Sequence, residues 1–371
     1  MAGAAAAAFL ARRGRSVLVL ERARFPREKA CGEGILPHGV RVLRRLGRCP
    51  DHGVLTRGIR IRVGSRDRVL PFPSGPGMAV RRLHLDAALL GLAREAGARV
   101  LREAVHRVSP GEVVTSRGIH RGRILVGADG CGSIFHRAFG VRRREDRGRI
   151  GVSTHLTGFE AEPDLVEVVV FQGGELYLAP VEAGVTLAAL LLDRGFAGKR
   201  GLLGGARSGR ILDVIREAAG ERASGASVAA PVHASAPLST RVGRVAGERW
   251  LLAGDAAGRI DPISGQGLSV ALASGEMAAE AIDAHLGRGT PLAGYASRLR
   301  RFREPLERVT RLLLLGSRHH RLASFLLGRE GAATALLMAA TGEAPRSWLR
   351  LVGKPAGPPR PAGRNSLATG T

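Results

Sequence analysis

The chain has 371 residues, 44% of them hydrophobic and 24% charged, which suits a globular protein of two or three domains with a sizeable core. No apolar run reaches the roughly 20 residues that span a bilayer; the longest lie at 185–192 and around 312–315, and arginines follow Leu10 too early for a signal peptide, so a cytoplasmic location is expected. The net charge of +25 raises nucleic acid or an anionic membrane as partner. Because the arginines are dispersed and aromatic residues amount to 4%, coding bias with a solvated surface outweighs nucleic-acid binding, and peripheral contact with acidic lipid headgroups stays open.

In chain order, residues 4–13 are helix-forming, Gly14 is placed as a C-cap, and 16–21 reads as a short apolar strand ending on Glu21. A helix running into a buried strand is half of a βαβ unit. The Pro- and Gly-rich stretch 24–37 predicts a loop, 40–46 a short helix and 54–73 alternating strands. Apolar residues at helical spacing predict a helix over 83–97, and strands follow through 98–126, the last apolar enough to be buried. Segments 165–171, 175–180 and 185–192 predict an antiparallel sheet of a second domain. Residues 207–220 read as helix, 250–254 as a buried strand and 268–286 as a long helix, with further helices to about 340. The tail 346–371, rich in Pro, Gly and Arg, is expected to be disordered. Cys31, Cys49 and Cys131 lack metal-ligand spacing; no metal is expected, and the compartment is read as reducing.

Three groups of residues carry chemistry. In a dinucleotide-binding fold the third glycine of the phosphate turn lets the helix pack close to its strand, and an acid at the end of the second strand binds ribose. Gly3 and Glu21 fit those two places, with the first strand and first two glycines absent from the sequence given; an ordinary helix before a strand is the plain alternative. The second group is Gly127-Ala-Asp-Gly130, which sets Asp129 at the C-terminal edge of a buried strand, where open α/β sheets bind ligands. Asp-Gly alone is a common turn. The third runs from Trp250 through Gly254, Asp255, Pro262, Gly265, Gln266 and Gly267 to Leu268. A buried strand delivers Asp255 to a loop, and free amides at the following helix start can stabilise negative charge. The density of Gly, Asp and Pro in this one run argues against a simple capped turn.

Together these pieces resemble the FAD-binding motifs of the flavoprotein group that includes p-hydroxybenzoate hydroxylase and the geranylgeranyl reductases, over about residues 1–285. The resemblance implies Glu21 on the adenosine ribose, with Arg22 beside it in the cofactor site. It also implies Asp255 on the ribityl chain and the amides of 265–268 facing the flavin pyrimidine edge, Gly254 and Pro262 belonging to the same cofactor-binding run. Asp129 and Gly130 correspond to an Asp-Gly motif implicated in binding both FAD and NAD(P)H, and Arg82 to an arginine near flavin or pyrophosphate. The stretch 25–37 is similar to the Pro-Arg-x-Lys-Pro-Cys-Gly-x-Gly segment of the geranylgeranyl reductase-like branch, with Ala30 for the second proline, and so implies Cys31 and Gly32 near the flavin ring. A small buried thiol without a chemical role is the alternative for Cys31. That branch often carries Tyr-x-Trp-x-Phe-Pro in its substrate sheet. Here 176–181 offers Tyr177 and Pro180 as substrate residues without the Trp and Phe, which leaves a hydroxylase or another C=C reductase open. A flavin-dependent halogenase is disfavoured, because Trp250 and Trp348, the only tryptophans, cannot form its Trp-x-Trp motif.

The expected fold is thus α/β, α+β overall. A discontinuous Rossmann-like FAD-binding domain (1–47, 78–150, 241–286) joins an antiparallel substrate domain (48–77, 151–240) and a C-terminal helical region (287–345). The resemblance implies an FAD-dependent oxidoreductase, reduced by NAD(P)H, that reduces or hydroxylates a lipophilic or aromatic small molecule. No acid/base pair is evident, and His38, His84, His155, His319 and His320 read as structural or surface residues. Two rival readings are a truncated flavoprotein unable to hold FAD and a basic nucleic-acid or lipid-surface binding protein without redox activity. The missing first strand predicts an upstream apolar strand ending in Gly-x-Gly.

Overall fold

The computed structural model describes residues 1–47, 50, 52–203, 208–319, 324 and 327–341. Cys49, His320, Trp348 and the tail 346–371 lie outside them.

Alanine has the highest intrinsic helix propensity, and the Ala-rich start forms the helix Ala2–Arg12, which gives way to Gly14 at φ 73°. Its small side chains let it lie almost backbone to backbone on the long helix Gly267–Arg288: a Cβ at Gly275 would stand 2.5 Å from the Ala2 carbonyl oxygen. The helix Arg82–Glu95 packs on its other side. These helices and the strand Trp250–Leu252 share the main core, with Leu85, Leu89, Leu251, Leu252 and Leu272 at its centre.

Two short parallel ladders underlie the helices. The strand Leu18–Leu20 pairs with Arg99–Leu101, and Leu125–Gly127 pairs with Trp250–Leu252. They are separate 2-stranded sheets. Leu18–Leu20 and Leu125–Gly127 each have a neighbour on one side only among the described residues, and both line the same cavity. A doubly wound fold places one further parallel strand between two such ladders and so joins them into one sheet.

The largest sheet has 8 strands. Its order is Ser227–Val228, Arg149–Thr157, Val185–Asp193, Gly174–Glu182, Leu165–Phe171, Gly58–Val63 and Arg66–Pro71, with His233–Ser235 also paired to Arg149–Thr157. The three strands expected to pair antiparallel, Leu165–Phe171, Gly174–Glu182 and Val185–Asp193, do so, and at the far side Leu165–Phe171 runs parallel to Gly58–Val63. A parallel neighbour requires a long crossover, and the whole of 72–164 supplies it. Side chains alternate across a strand, so Leu176, Leu178, Leu190 and Leu192 pack with Ile211, Val214 and Ile215 of the helix Ser208–Ala219. Residues of opposite parity face the other way, towards the cavity. The last helices, Ala293–Arg318 and Glu330–Ala340, close its apolar end, with Leu327, Ala333 and Leu337 packed on Val63, Leu70 and Phe72.

Candidate active site

A cavity of about 1820 Å³ runs between the parallel ladders, the starts of the helices Ala2–Arg12 and Gly267–Arg288, and the open face of the large sheet. Single-ligand pockets take roughly 300–1,000 Å³, so this one has room for a cofactor and a substrate together.

Chain order alone would not bring the three sequence motifs together, but the fold does. Gly3, Glu21, Arg22, Cys31, Gly32, Arg82, Asp129, Gly130, Gly254, Asp255, Pro262, Gly265, Gly267, Leu268 and Tyr177 all line the cavity. Two predicted residues do not. Gln266 is fully buried, its amide oxygen and nitrogen both without a hydrogen-bond partner. Pro180 has the opposite parity to Tyr177 and sits where the ladder to Val185–Asp193 shifts register.

The carboxylates stand where open α/β sheets present ligands, just past the C-terminal ends of three parallel strands. Glu21 follows Leu18–Leu20 and takes the Ala23 N–H on Oε1 at 2.8 Å. Asp129 follows Leu125–Gly127 and takes the Ile134 N–H on Oδ2 at 2.8 Å. Asp255 follows Trp250–Leu252, with the Cys131 sulfur 3.6 Å from Oδ2 and Arg259 Nε at 3.8 Å. Burial, with help from Asp255, pushes the Cys131 thiol up, so it sits there as a neutral donor. Among the described residues each carboxylate has one oxygen with no hydrogen-bond partner. A Cβ at Gly130, Gly265 or Gly267 would meet no atom within 4 Å, so the backbone is bare towards the cavity. Three acids for hydroxyl groups and exposed amides at a helix start are the donor and acceptor set that FAD needs, and the residues present fit it.

Arg82 is buried and forked onto Asp86, with Nη2 to Oδ2 at 2.7 Å. The Met1 amino group at 3.9 Å and Arg27 at 3.8 Å also approach Asp86. Burial works against the Arg82 charge, and the Cys31 sulfur and the Asp86 carboxylate more than offset it, so the guanidinium titrates above its ordinary range.

The loop Cys31–Gly32–Glu33 is fastened to the large sheet. The Cys31 N–H donates to Ser153 Oγ at 3.2 Å, and Glu33 Oε2 meets His155 Nε2 at 2.9 Å. Residues two apart in the loop thus grip residues two apart on one strand face. Glu33 is 1% exposed and takes a left-handed φ of 51°; its Oε1 accepts the Arg82 N–H at 2.8 Å. Sequence reasoning missed Glu33, although an acid between two glycines beside Cys31 was its available signal. His155 is buried, and its ring faces the Glu33 carboxylate. His38 has its Nδ1 3.0 Å from the Thr341 carbonyl, and burial pulls its pKa down to about 4.

The sheet wall of the cavity is built in cross-strand rows. One reads Gly151, Leu191, Glu175, Val170, Val63 and the next Ser153, Ala189, Tyr177, Val168, Ile61. The wall is polar in its middle and aliphatic towards the edge strands. Beneath Glu175, the buried Arg149 bonds Asp261 Oδ1 through Nη1 at 2.9 Å and Glu175 Oε2 through Nη2. Asp193 lies 3.9 Å from its Nε. Tyr177 donates its hydroxyl to the Ile263 carbonyl at 3.0 Å.

No protein-family model matches the chain. Menaquinone reductase of Mycobacterium tuberculosis is 34% identical to it over 311 residues, covering 76% of this chain and 74% of that protein. Digeranylgeranylglycerophospholipid reductase 2 of Methanopyrus kandleri is 30% identical over 313 residues, covering 76% of this chain and 75% of that one. Among solved structures, the flavin-dependent brominase Bmp2 superposes with a TM-score of 0.81 at 20% identity, over 92% of this chain and 91% of its own. At that identity the likeness speaks for the fold, an α/β flavoprotein architecture. With that fold, a cavity assembled from the three motifs, and relatives at this identity over most of the sequence, the chain belongs to the family of FAD-dependent oxidoreductases that contains the menaquinone and geranylgeranyl-type reductases.

Proposed function

We propose that this oxidoreductase reduces carbon–carbon double bonds in a long lipophilic molecule of the class its relatives are named for, an isoprenoid quinone or a geranylgeranyl lipid. One observation carries the reading: beyond Tyr177 and Glu175 the sheet wall is aliphatic through Val168, Val170, Ile61 and Val63, and the lining of the same cavity includes Leu312 and Leu315, which are 40% and 52% exposed. A polar reacting end and an apolar channel open to solvent suit a substrate with a long hydrocarbon tail. Bound FAD supplies the hydride, and NAD(P)H is the proposed source of its electrons. Glu21 and Arg22 hold the adenosine side, Asp255 the ribityl chain, and the start of the helix Gly267–Arg288 faces the charge that reduction adds.

The deciding measurement is anaerobic product formation from menaquinone or digeranylgeranylglycerophospholipid with NADH or NADPH. Product without oxygen establishes reduction, and product only with oxygen establishes hydroxylation instead. Asp255→Ala is expected to lower FAD occupancy of the purified protein at least tenfold, read from visible absorption; full occupancy would remove the ribityl assignment.

The same channel mouth is proposed to rest on an anionic membrane. Arg311 and Arg318 are exposed beside Leu312 and Leu315, and no helix among the described residues is long and apolar enough to cross a bilayer. Leu312→Asp with Leu315→Asp is expected to reduce co-sedimentation with phosphatidylglycerol vesicles about tenfold or more. Unchanged sedimentation would detach the mouth from the membrane.

A further inference from the structure

The cluster around Arg149 carries more negative than positive charge, and it touches the cavity. One guanidinium faces Glu175, Asp261 and, at longer range, Asp193. Asp193 is 48% exposed and is stabilised by water. Glu175 and Asp261 are 2% and 5% exposed, so two buried carboxylates share one buried cation. A buried charge without a partner costs several kcal/mol, and the group takes up a proton instead. Asp261 is committed as an acceptor: the same Oδ1 takes Arg149 and the Ile263 N–H at 3.0 Å. Glu175 lines the cavity, and burial, the largest influence on it, outweighs Arg149 and a hydrogen bond from Ser317 and holds its carboxyl above the usual range. Of the two acids that share Arg149, Glu175 is the one that lines the cavity and can pass a proton into it.

Of the neighbouring hydroxyls on this face, two are already engaged, whereas His233, paired with Ser153 across the ladder, lines the cavity with a buried Nε2 that has no partner among the described residues. The Tyr177 hydroxyl is spent on the Ile263 carbonyl, and burial pushes it well above its ordinary range. Ser153 Oγ accepts the Cys31 N–H. Glu175 shares the cavity face with Tyr177, one row nearer Val63, where the aliphatic wall begins.

We propose that Glu175 is the acid of the cavity, giving its proton to one carbon of the substrate double bond while the other carbon takes hydride. This rests on the reductase reading above. The π pair of the double bond makes the new C–H bond to the Glu175 proton, and the hydride makes the second. Glu175 is left as a carboxylate beside Arg149, where that guanidinium stabilises it, and a solvent proton restores the acid.

Glu175→Gln and Glu175→Asp test this in the FAD-loaded full chain. Infrared spectra at neutral pH are expected to show a protonated carboxylic C=O band that Glu175→Gln removes. With the flavin reduced by dithionite, anaerobic addition of menaquinone or digeranylgeranylglycerophospholipid in micelles should reoxidise Glu175→Gln about 100-fold more slowly than wild type. Glu175→Asp is expected to restore part of that loss. The wild-type rate should fall as pH rises through the Glu175 titration, and the Gln variant should lack that limb.

A Gln variant that reoxidises as fast as wild type overturns the proposal and leaves the reductase reading standing. If wild type reduces neither lipid, the reductase reading fails. The infrared band then decides separately: its loss in Glu175→Gln supports the acid, and its absence from wild type overturns it.

Discussion

Arg149→Met should lower stability by about 3–5 kcal/mol, the size expected when one partner of a buried ionic cluster is removed and the other charges stay behind. Arg149 is 6% exposed and joins strand Arg149–Thr157 to Glu175 on a neighbouring part of the sheet and to Asp261 in the loop before the helix Gly267–Arg288. Without it, Asp261 is left buried with no cation, and Glu175 loses the guanidinium that holds its carboxyl down, so the Glu175 carboxyl is raised further above its unfolded value. Acids raised in the folded state contribute stability below the unfolded pKa and lose it as pH rises through the folded one. The variant should therefore approach wild type near pH 4 and fall away towards pH 8, in urea titrations at a series of pH values. Adding Glu175→Gln should recover little of the loss at pH 8, since Glu175 already carries a proton and Asp261 is the charge left stranded. A pH-independent loss would mean that packing of the guanidinium, not its charge, holds the cluster.

Gly275→Leu should be as severe for a different reason. A Cβ at that position would stand 2.5 Å from the Ala2 carbonyl oxygen and 3.1 Å from Ala5 Cβ, backbone and core atoms with nowhere to move. The helices must separate, at a cost of about 3 kcal/mol or more from overpacking and lost burial. Since the start of each helix lines the cavity, FAD occupancy should fall with the melting temperature. Gly287→Ala on the same helix is the control. Its Cβ meets only the end of the Arg15 side chain at 3.1 Å, so the gain of about 1 kcal/mol in helix propensity should appear as a neutral or slightly stabilising change. Equal losses at both positions would refute the close-packing argument.

Much of the cofactor side was legible in the sequence because its signals are local. A Gly-Asp run after an apolar strand, or a helix and strand ending on an acid, can be read within about twenty residues, and Glu21, Asp129 and Asp255 meet around one cavity. The substrate side depends on pairings across the sheet. Arg149, Glu175 and Asp261 are far apart in sequence, and only the strand order 149–157, 185–193, 174–182 brings the first two together. Glu175 had one readable sign, its shared parity with Tyr177. The same rule would have excluded Pro180, had the register shift at that end of the strand been visible. Glu33 was hidden by its neighbours: Cys31 drew the interpretation, while the acid beside it makes the contact with the sheet.

The fastenings between the cofactor loops and the large sheet also constrain how molecules enter and leave. Cys31 to Ser153, Glu33 to His155, Asp261 to Arg149 and Ile263 to Tyr177 tie the two sides at four points along the polar part of the cavity. A hinge opening there like a clamshell would break every one of them at once. The far end is left for traffic, where the described lining is made of aliphatic side chains such as Val63, Leu70, Leu327 and Leu337. For the long lipid proposed above, the layout would be a sleeve: the chain threads in lengthwise, the depth of threading sets which of its bonds arrives beside Glu175, and product backs out along the same track.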